Sequence, residues 1–358
     1  MTDLFSPIDL GDLHLANRVV MAPLTRVRSG ADGVPTGLVA EYYAQRASLG
    51  LIISEGVYPG RESRGYFGQP GIVTDEQEAA WRRVTDAVHA EGGRIVMQLM
   101  HSGRVSHPDL SGTHRTVAPS AVAIDGDVHT QHGKTRHVEP EALTTEELAV
   151  VRDEFVTAAR RALRAGFDGV ELHGANGYLL HQFLSPVSNV RDDGYGGSPE
   201  ARARFVIEVA EAVAAEVGAG RVGIRVSPGN QAQDVLETDE AETRATYRAL
   251  LEGLAPLGMA YLSVLHADPA GDLVRDLREW FGGKVIANSG FGSVTSREEA
   301  VALIDRAHAD AVAVGRAVIA NPDLVRRWRE DAPENAPRPE HFYSPGAEGY
   351  TDYPLLSA

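Results

Sequence analysis

Short apolar, β-branched runs recur along this chain, and the segments between most of them are amphipathic and rich in Ala, Glu, Arg and Leu. Such alternation builds a parallel sheet, because each return between parallel strands needs a helix-length crossover. The runs predict strands over 17–23, 49–54, 94–99, 168–172, 221–226, 261–264, 284–287 and 311–314. Helices are predicted over 34–50, 74–91, 144–166, 198–217, 240–257 and 296–307. The clearest is 144–166, where a Thr-Glu-Glu opening resembles a capping signal and Gly166 stands where a helix should stop.

Eight such units are the count that closes a (β/α)8 TIM barrel, and near-continuous apolar strands such as Val312-Ala313-Val314 suit a sheet covered by helices. The rival, a doubly wound open sheet, would place a Gly-x-Gly-x-x-Gly turn after its first strand. None follows Met21-Ala22-Pro23-Leu24-Thr25. An α/β barrel forming one domain over 1–358 is therefore expected, with two additions. Leu4–Leu13 reads as an N-terminal hairpin closing one face of the barrel, and 102–143 as a long loop insertion after the third strand that caps the active site.

Composition narrows the chemistry. The formal net charge of -16 argues against a nucleic acid or an anionic membrane as partner, since those are bound through clustered Lys and Arg. With no cysteine, disulfides, thiolate catalysis and Cys-ligated zinc or iron–sulfur centres are excluded. The residues Met1–Leu10 lack a basic start and a long apolar run, so a cytoplasmic location is expected. Thirteen histidines invite a metal, with His101, His107 and His114, or His129, His132 and His137, as the groups weighed. No His-x-x-x-His falls on a predicted helix beside a Glu, and no metal is expected.

In a barrel enzyme the site forms at the C-terminal ends of the strands. Those ends carry Pro23-Leu24-Thr25, Glu55-Gly56, Gln98 to His101, His173 to Tyr178, Arg225, His266, Ser289-Gly290 and Gly315-Arg316. The last two place small residues and one cation where helices begin, which suits a phosphate. His173 and Asn176 offer two hydrogen-bond donors for an oxygen that gains negative charge, and Tyr178 a phenolic proton. Gln98 suits the edge of a heterocycle. Arg225 would point into the barrel mouth, where an unpaired cation is costly unless it meets an anion. A cofactor that is both heterocycle and phosphate explains the pair.

These residues resemble the old yellow enzyme family, in its bacterial N-ethylmaleimide and nitrate-ester reductase branch. The resemblance runs from Asn17-Arg-Val-Val-Met-Ala-Pro-Leu-Thr-Arg26 through Glu171-Leu-His-Gly-Ala-Asn-Gly-Tyr-Leu-Leu-His-Gln-Phe-Leu-Ser-Pro186 and Asp192-Asp-Gly-Tyr-Gly-Gly-Ser198. It continues in Ala313-Val-Gly-Arg-Ala317, Ala320-Asn-Pro-Asp323 and Ala347-Glu-Gly-Tyr-Thr-Asp-Tyr-Pro354. It implies tightly bound, non-covalent FMN, with NADPH or NADH as reductant and small electron-poor alkenes as substrates in a ping-pong cycle. Pro23, Leu24, Thr25, Gly56, Gln98, His173 and Arg225 would contact the flavin ring, and Ser289, Gly290, Gly315 and Arg316 its phosphate. His173 and Asn176 would bind the substrate's activating oxygen, and Tyr178 would donate the proton. Tyr66, Met100, Arg136, His266 and Tyr343 would shape the substrate pocket, Met100 standing where close relatives carry Trp. A monomer is expected ahead of a homodimer.

The residues without the resemblance also fit a barrel lyase or isomerase acting on a phosphate ligand, or a flavin-binding protein with no activity. The first would show a Schiff-base Lys or metal-binding carboxylates at strand ends, yet Lys284 is at a strand's start. Oxidation of a reduced nicotinamide separates the second.

Overall fold

In the computed structural model, which describes residues 3–357, eight parallel strands close into a barrel. They are β1 (Val19–Met21), β2 (Leu51–Ile53), β3 (Ile95–Leu99), β4 (Gly169–Gly174), β5 (Val222–Val226), β6 (Tyr261–Leu265), β7 (Val285–Asn288) and β8 (Ala311–Val314). Closure is made where β8 pairs with β1, Val314 lying opposite Met21. Every predicted strand is present, and the (β/α)8 fold is confirmed.

The helices form where the sequence offers both an apolar face and a cap. At Asp75–Ala90, Thr74 Oγ1 accepts from the Gln77 N–H (3.2 Å) while Gln77 Oε1 accepts from the Thr74 N–H (3.2 Å). Thr144 and Glu147 repeat that reciprocal arrangement at Thr145–Arg164, so two otherwise orphaned donors are satisfied at each start. The helix predicted over 34–50 is shorter, Gly37–Ala44. Five helices escaped the sequence reading: Pro108–Ser111, Leu179–Leu184, Asp272–Phe281, Arg316–Ala320 and Leu324–Glu330. Four of these run seven residues or fewer, too short to show a period.

The N-terminal hairpin lies a few residues further along than expected, pairing Ile8–Leu10 with Leu13–Leu15. Its Ile8, Leu10, Leu13 and Leu15 join Val20, Ile53, Val96, Tyr261 and Ile286 in one buried cluster, plugging the barrel floor. Gly11, at φ 56°, lets the turn sit against Gly220 and Ala260 where a side chain would collide. The 102–143 insertion is folded. A strand pair (Val117–Ala118 with Glu141–Ala142) anchors it, and a second hairpin, Asp127–Thr130 with Gly133–Arg136, extends over the opposite, C-terminal mouth.

Candidate active site

A cavity of about 890 Å³ opens at that mouth, within the size range of a cofactor site. Its walls carry Pro23, Leu24, Thr25, Gln98, Met100, His173, Asn176, Tyr178, Arg225, Gly290, Gly315 and Arg316, with Tyr66 and Tyr343 at the side. Residues separated by up to 320 positions converge because each strand end delivers its own few. The exposed apolar residues Phe67, Phe291, Val294 and Tyr343 all border this opening. Exposed apolar surface gathered around one concavity marks a binding site.

The loop after β1 is held from below. Glu55, buried at the end of β2, accepts the backbone N–H groups of Arg26 (3.0 Å) and Val27 (3.0 Å) on one carboxylate oxygen. Arg26, also buried, donates to Tyr42 Oη (2.8 Å) and to the carbonyls of Phe342 (3.0 Å) and Gly349 (2.8 Å). One guanidinium thus ties the first strand's loop to the C-terminal segment and brings Phe342 and Tyr343 to the cavity wall.

On the floor lies a buried polar chain. Gln98 donates to Glu171 (2.8 Å), and Arg225 donates to Ser263 Oγ (3.0 Å) and Asn288 Oδ1 (3.1 Å). Burial pushes the Glu171 carboxyl up and the nearby Arg225 charge draws it back. Three atoms on the cavity walls are buried without a hydrogen bond among the described residues: His173 Nδ1, Asn176 Oδ1 and Arg225 Nε. An unsatisfied buried polar atom costs about 1–3 kcal/mol, so several in one concavity imply a polar ligand that completes them.

His173 is held well below the usual imidazole range by burial and by the Arg225 charge, and is therefore neutral. Asn176 stands at φ 57° just beyond β4, its N–H donating to Ser227 Oγ (2.9 Å). The Tyr178 and Tyr66 hydroxyls share a hydrogen bond of 2.5 Å. Burial raises both phenols, Tyr178 most. The Tyr178 ring lies 4.9 Å from that of His173. A neutral imidazole, an amide and an un-ionised phenol thus share one wall.

Across the cavity, Arg316 donates to the carbonyls of Phe291 (2.8 Å) and Ser293 (2.6 Å), drawing the loops after β7 and β8 together. Gly290, at φ 85°, and Gly315 leave that corner open, a Cβ on Gly315 meeting only Leu24 at 3.6 Å. The corner fits a phosphate and the floor a polar heterocycle, so the residues present fit FMN.

Four expected site residues do not line the cavity. Gly56 lies beneath Met100, where a Cβ would come within 2.5 Å of the sulfur. Ser289 points inward, sharing a hydrogen bond with Thr295 Oγ1 (2.8 Å). His266 folds onto its own loop at Asp268 (2.9 Å). Arg136 sits on the outer strand of the capping hairpin, paired with Asp125 (2.7 Å), and the residues that reach the cavity from that hairpin are His129 and Thr130. Lys284 pairs with Asp310 (3.2 Å) and is not on the cavity wall.

Sequence reasoning missed Leu265 and Asn288, because β6 and β7 each run one residue further than predicted. In a strand one residue exchanges one face for the other. It also missed Arg26, Gln233 and Phe342, which contacts from distant elements bring to the cavity.

Fold and site together define a flavin-dependent oxidoreductase of the barrel type. Comparison with known proteins agrees: residues 3–335 match the NADH:flavin oxidoreductase / NADH oxidase family, and the chain belongs to that family. It is 41% identical to a probable flavin mononucleotide-dependent alkene reductase of Leishmania infantum, covering 99% of this chain and 97% of the relative. It is 40% identical to 12-oxophytodienoate reductase 1 of Oryza sativa subsp. japonica, covering 99% and 93%. Among solved structures it superposes on an old yellow enzyme homologue of Zymomonas mobilis with a TM-score of 0.94, 40% identity and coverage of 99% and 100%. Morphinone reductase in complex with tetrahydroNAD gives 0.92, 45% identity, and 100% and 98% coverage.

Proposed function

We propose that this chain is an FMN-dependent ene-reductase that takes electrons from NADPH or NADH and reduces the activated C=C bond of α,β-unsaturated carbonyl, maleimide or nitro compounds. The observation that carries this reading is the wall on which neutral His173, Asn176 and protonated Tyr178 stand together above buried Arg225. Pro23, Leu24, Thr25, Gln98 and Arg225 would hold the flavin ring, with Gly290, Gly315 and Arg316 on its phosphate. FMN bound there would supply two-electron hydride chemistry between the reduced nicotinamide and the activated alkene.

The chain's own groups do the rest. His173 and Asn176 donate hydrogen bonds to the substrate's carbonyl or nitro oxygen and make the β-carbon electrophilic. Tyr178 Oη holds the proton destined for the α-carbon and, with its pKa raised by burial, keeps it through neutral pH. With one cavity for both partners, nicotinamide and alkene enter in turn, which gives ping-pong kinetics.

A net charge of -16 supports small molecules rather than nucleic acid as partners, and no described helix is long and apolar enough to cross a membrane. We place the protein in the cytoplasm, working as a single-domain monomer.

The double substitution His173→Ala/Asn176→Ala tests the assignment. Phenol and enone binding should weaken by about 100-fold for two lost hydrogen bonds, with FMN retained at full occupancy. Loss of FMN with ligand affinity intact in what remains would move both residues to the cofactor.

A further inference from the structure

We infer that His181 and Glu237, which lie outside the cavity, form a buried latch that sets the position of the substrate-binding turn Asn176–Tyr178. The inference rests on the substrate role of His173 and Asn176 proposed above.

That turn is unusual. Asn176 (φ 57°) and Gly177 (φ 79°) follow each other in the left-handed region, which costs an Asn energy unless the surroundings impose it. A Cβ on Gly177 would lie 2.5 Å from Gln233 Cβ and 2.6 Å from the Ala232 carbonyl. The turn therefore bears directly on the loop after β5, where Gln233, Asp234 and Leu236 also have positive φ. Two such segments in contact need something to fix them.

His181 meets that need. It is wholly buried, and its Nδ1 accepts the Gly177 N–H at 3.0 Å. Its Nε2 lies 3.1 Å from Glu237 Oε1, in the β5 loop, and 3.2 Å from the Tyr247 hydroxyl. The second Glu237 oxygen accepts the Gly229 N–H at the start of that loop (2.8 Å). Because Nδ1 accepts, the neutral ring carries its proton on Nε2, and that proton needs an acceptor. The carboxylate provides one while keeping its other oxygen for Gly229. A chain of directed bonds thus runs Gly229–Glu237–His181–Gly177 and ends one residue from Asn176 and one from Tyr178.

The amide of Glu237→Gln cannot replace it. With its oxygen toward Gly229 it presents an NH2 to the His181 N–H, and turned over it faces the Gly229 N–H with a donor. Either way a donor faces a donor: the His181 proton keeps only the Tyr247 hydroxyl (3.2 Å) as acceptor, or the Gly229 N–H loses its own. His181→Gln retains polarity near Glu237 but removes the acceptor from Gly177, whereas His181→Asn places an oxygen close to the Nδ1 position and retains it. His181 and Glu237 are positioning residues, acting on substrate only through the turn.

The test is titration of flavin-loaded parent and variants with a simple phenol, followed by the flavin absorbance, with FMN occupancy and Tm recorded in parallel. Failure of the parent to bind phenol would sink the underlying substrate-site reading. Given parent binding, Glu237→Gln and His181→Gln should raise the phenol Kd about tenfold at unchanged FMN occupancy, and His181→Asn should stay within about threefold. Their enone KM should rise more than their kcat falls. Equal affinities in all four proteins, or equal losses in all three variants that follow their Tm values, would overturn the latch. If His181→Gln does not fold, Glu237→Gln against His181→Asn decides it by the same contrast.

Discussion

Replacing Tyr178 by Phe isolates one hydroxyl in this site. A positioned proton donor contributes about 10²–10⁴ in rate. The Tyr66 hydroxyl lies 2.5 Å from the one removed and remains after the substitution, so a proton source stays near the α-carbon. The loss therefore falls at the low end, about 100-fold, or about 2.7 kcal/mol of barrier. Stability should change little. Tyr66 loses its partner but borders the cavity, where water can replace it, so the cost is about 1 kcal/mol and Tm drops about 1–2 °C. Tyr66→Phe made together with Tyr178→Phe should remove the residual rate.

The assay is single-turnover oxidation. The variant is reduced anaerobically with NADPH and mixed with 2-cyclohexenone while the flavin band returns. Reoxidation should slow about 100-fold, while reduction by NADPH, which needs no proton on the α-carbon, stays within about threefold. Because burial holds the parent phenol well above its ordinary pKa, the parent's reoxidation rate should be flat from about pH 6 to 9. Equal slowing of both half-reactions would refute the proton-donor role, as would an unchanged reoxidation rate.

Two further outcomes follow from the geometry. Arg316→Gln should weaken FMN by about 10–100-fold, the value of one charge-assisted contact, while riboflavin, which lacks the phosphate, loses no more than about threefold. Equal weakening of the two would mean that Arg316 acts only by holding the Phe291 and Ser293 carbonyls. His101 is buried with its pKa pushed down to about 3 from 6.5, so the folded chain excludes a proton that the unfolded chain binds. Its contribution is fully present above pH 6.5 and is lost as pH falls toward 3, at up to about 1.4 kcal/mol per unit. His101→Asn should flatten the urea-unfolding free energy between about pH 6 and 4 by that slope, and an unaltered slope would exclude the assignment.

The sequence carried the barrel because eight strands recur in it with helices between most of them, and parallel strands buried on both faces declare themselves as apolar runs. His173, Asn176 and Tyr178 were readable for a related reason: three polar residues follow an apolar strand where a barrel keeps its chemistry. Strand ends were located only to within two residues, so His266 and Ser289 were read at the wall where Leu265 and Asn288 stand. Arg136 carried the right charge in the right loop, but hairpin pleating turned it outward onto Asp125. Arg26 had no local signal, since its partners Tyr42, Phe342 and Gly349 lie in other elements. The His181–Glu237 pair is hidden likewise: 56 residues separate the two, and only the contact between the loops after β4 and β5 joins them.

Anaerobic sequential mixing of the parent protein tests the central claim most directly. NADPH or NADH is added first and 2-cyclohexenone second, while the flavin absorbance is followed. The structure predicts bleaching by the nicotinamide, full return of the band on adding the enone, and double-reciprocal plots that stay parallel as the second substrate is varied. Bleaching with no enone-driven return would leave a flavoprotein without the proposed activity, and the absence of any flavin band after incubation with FMN would contradict the account of the cavity itself.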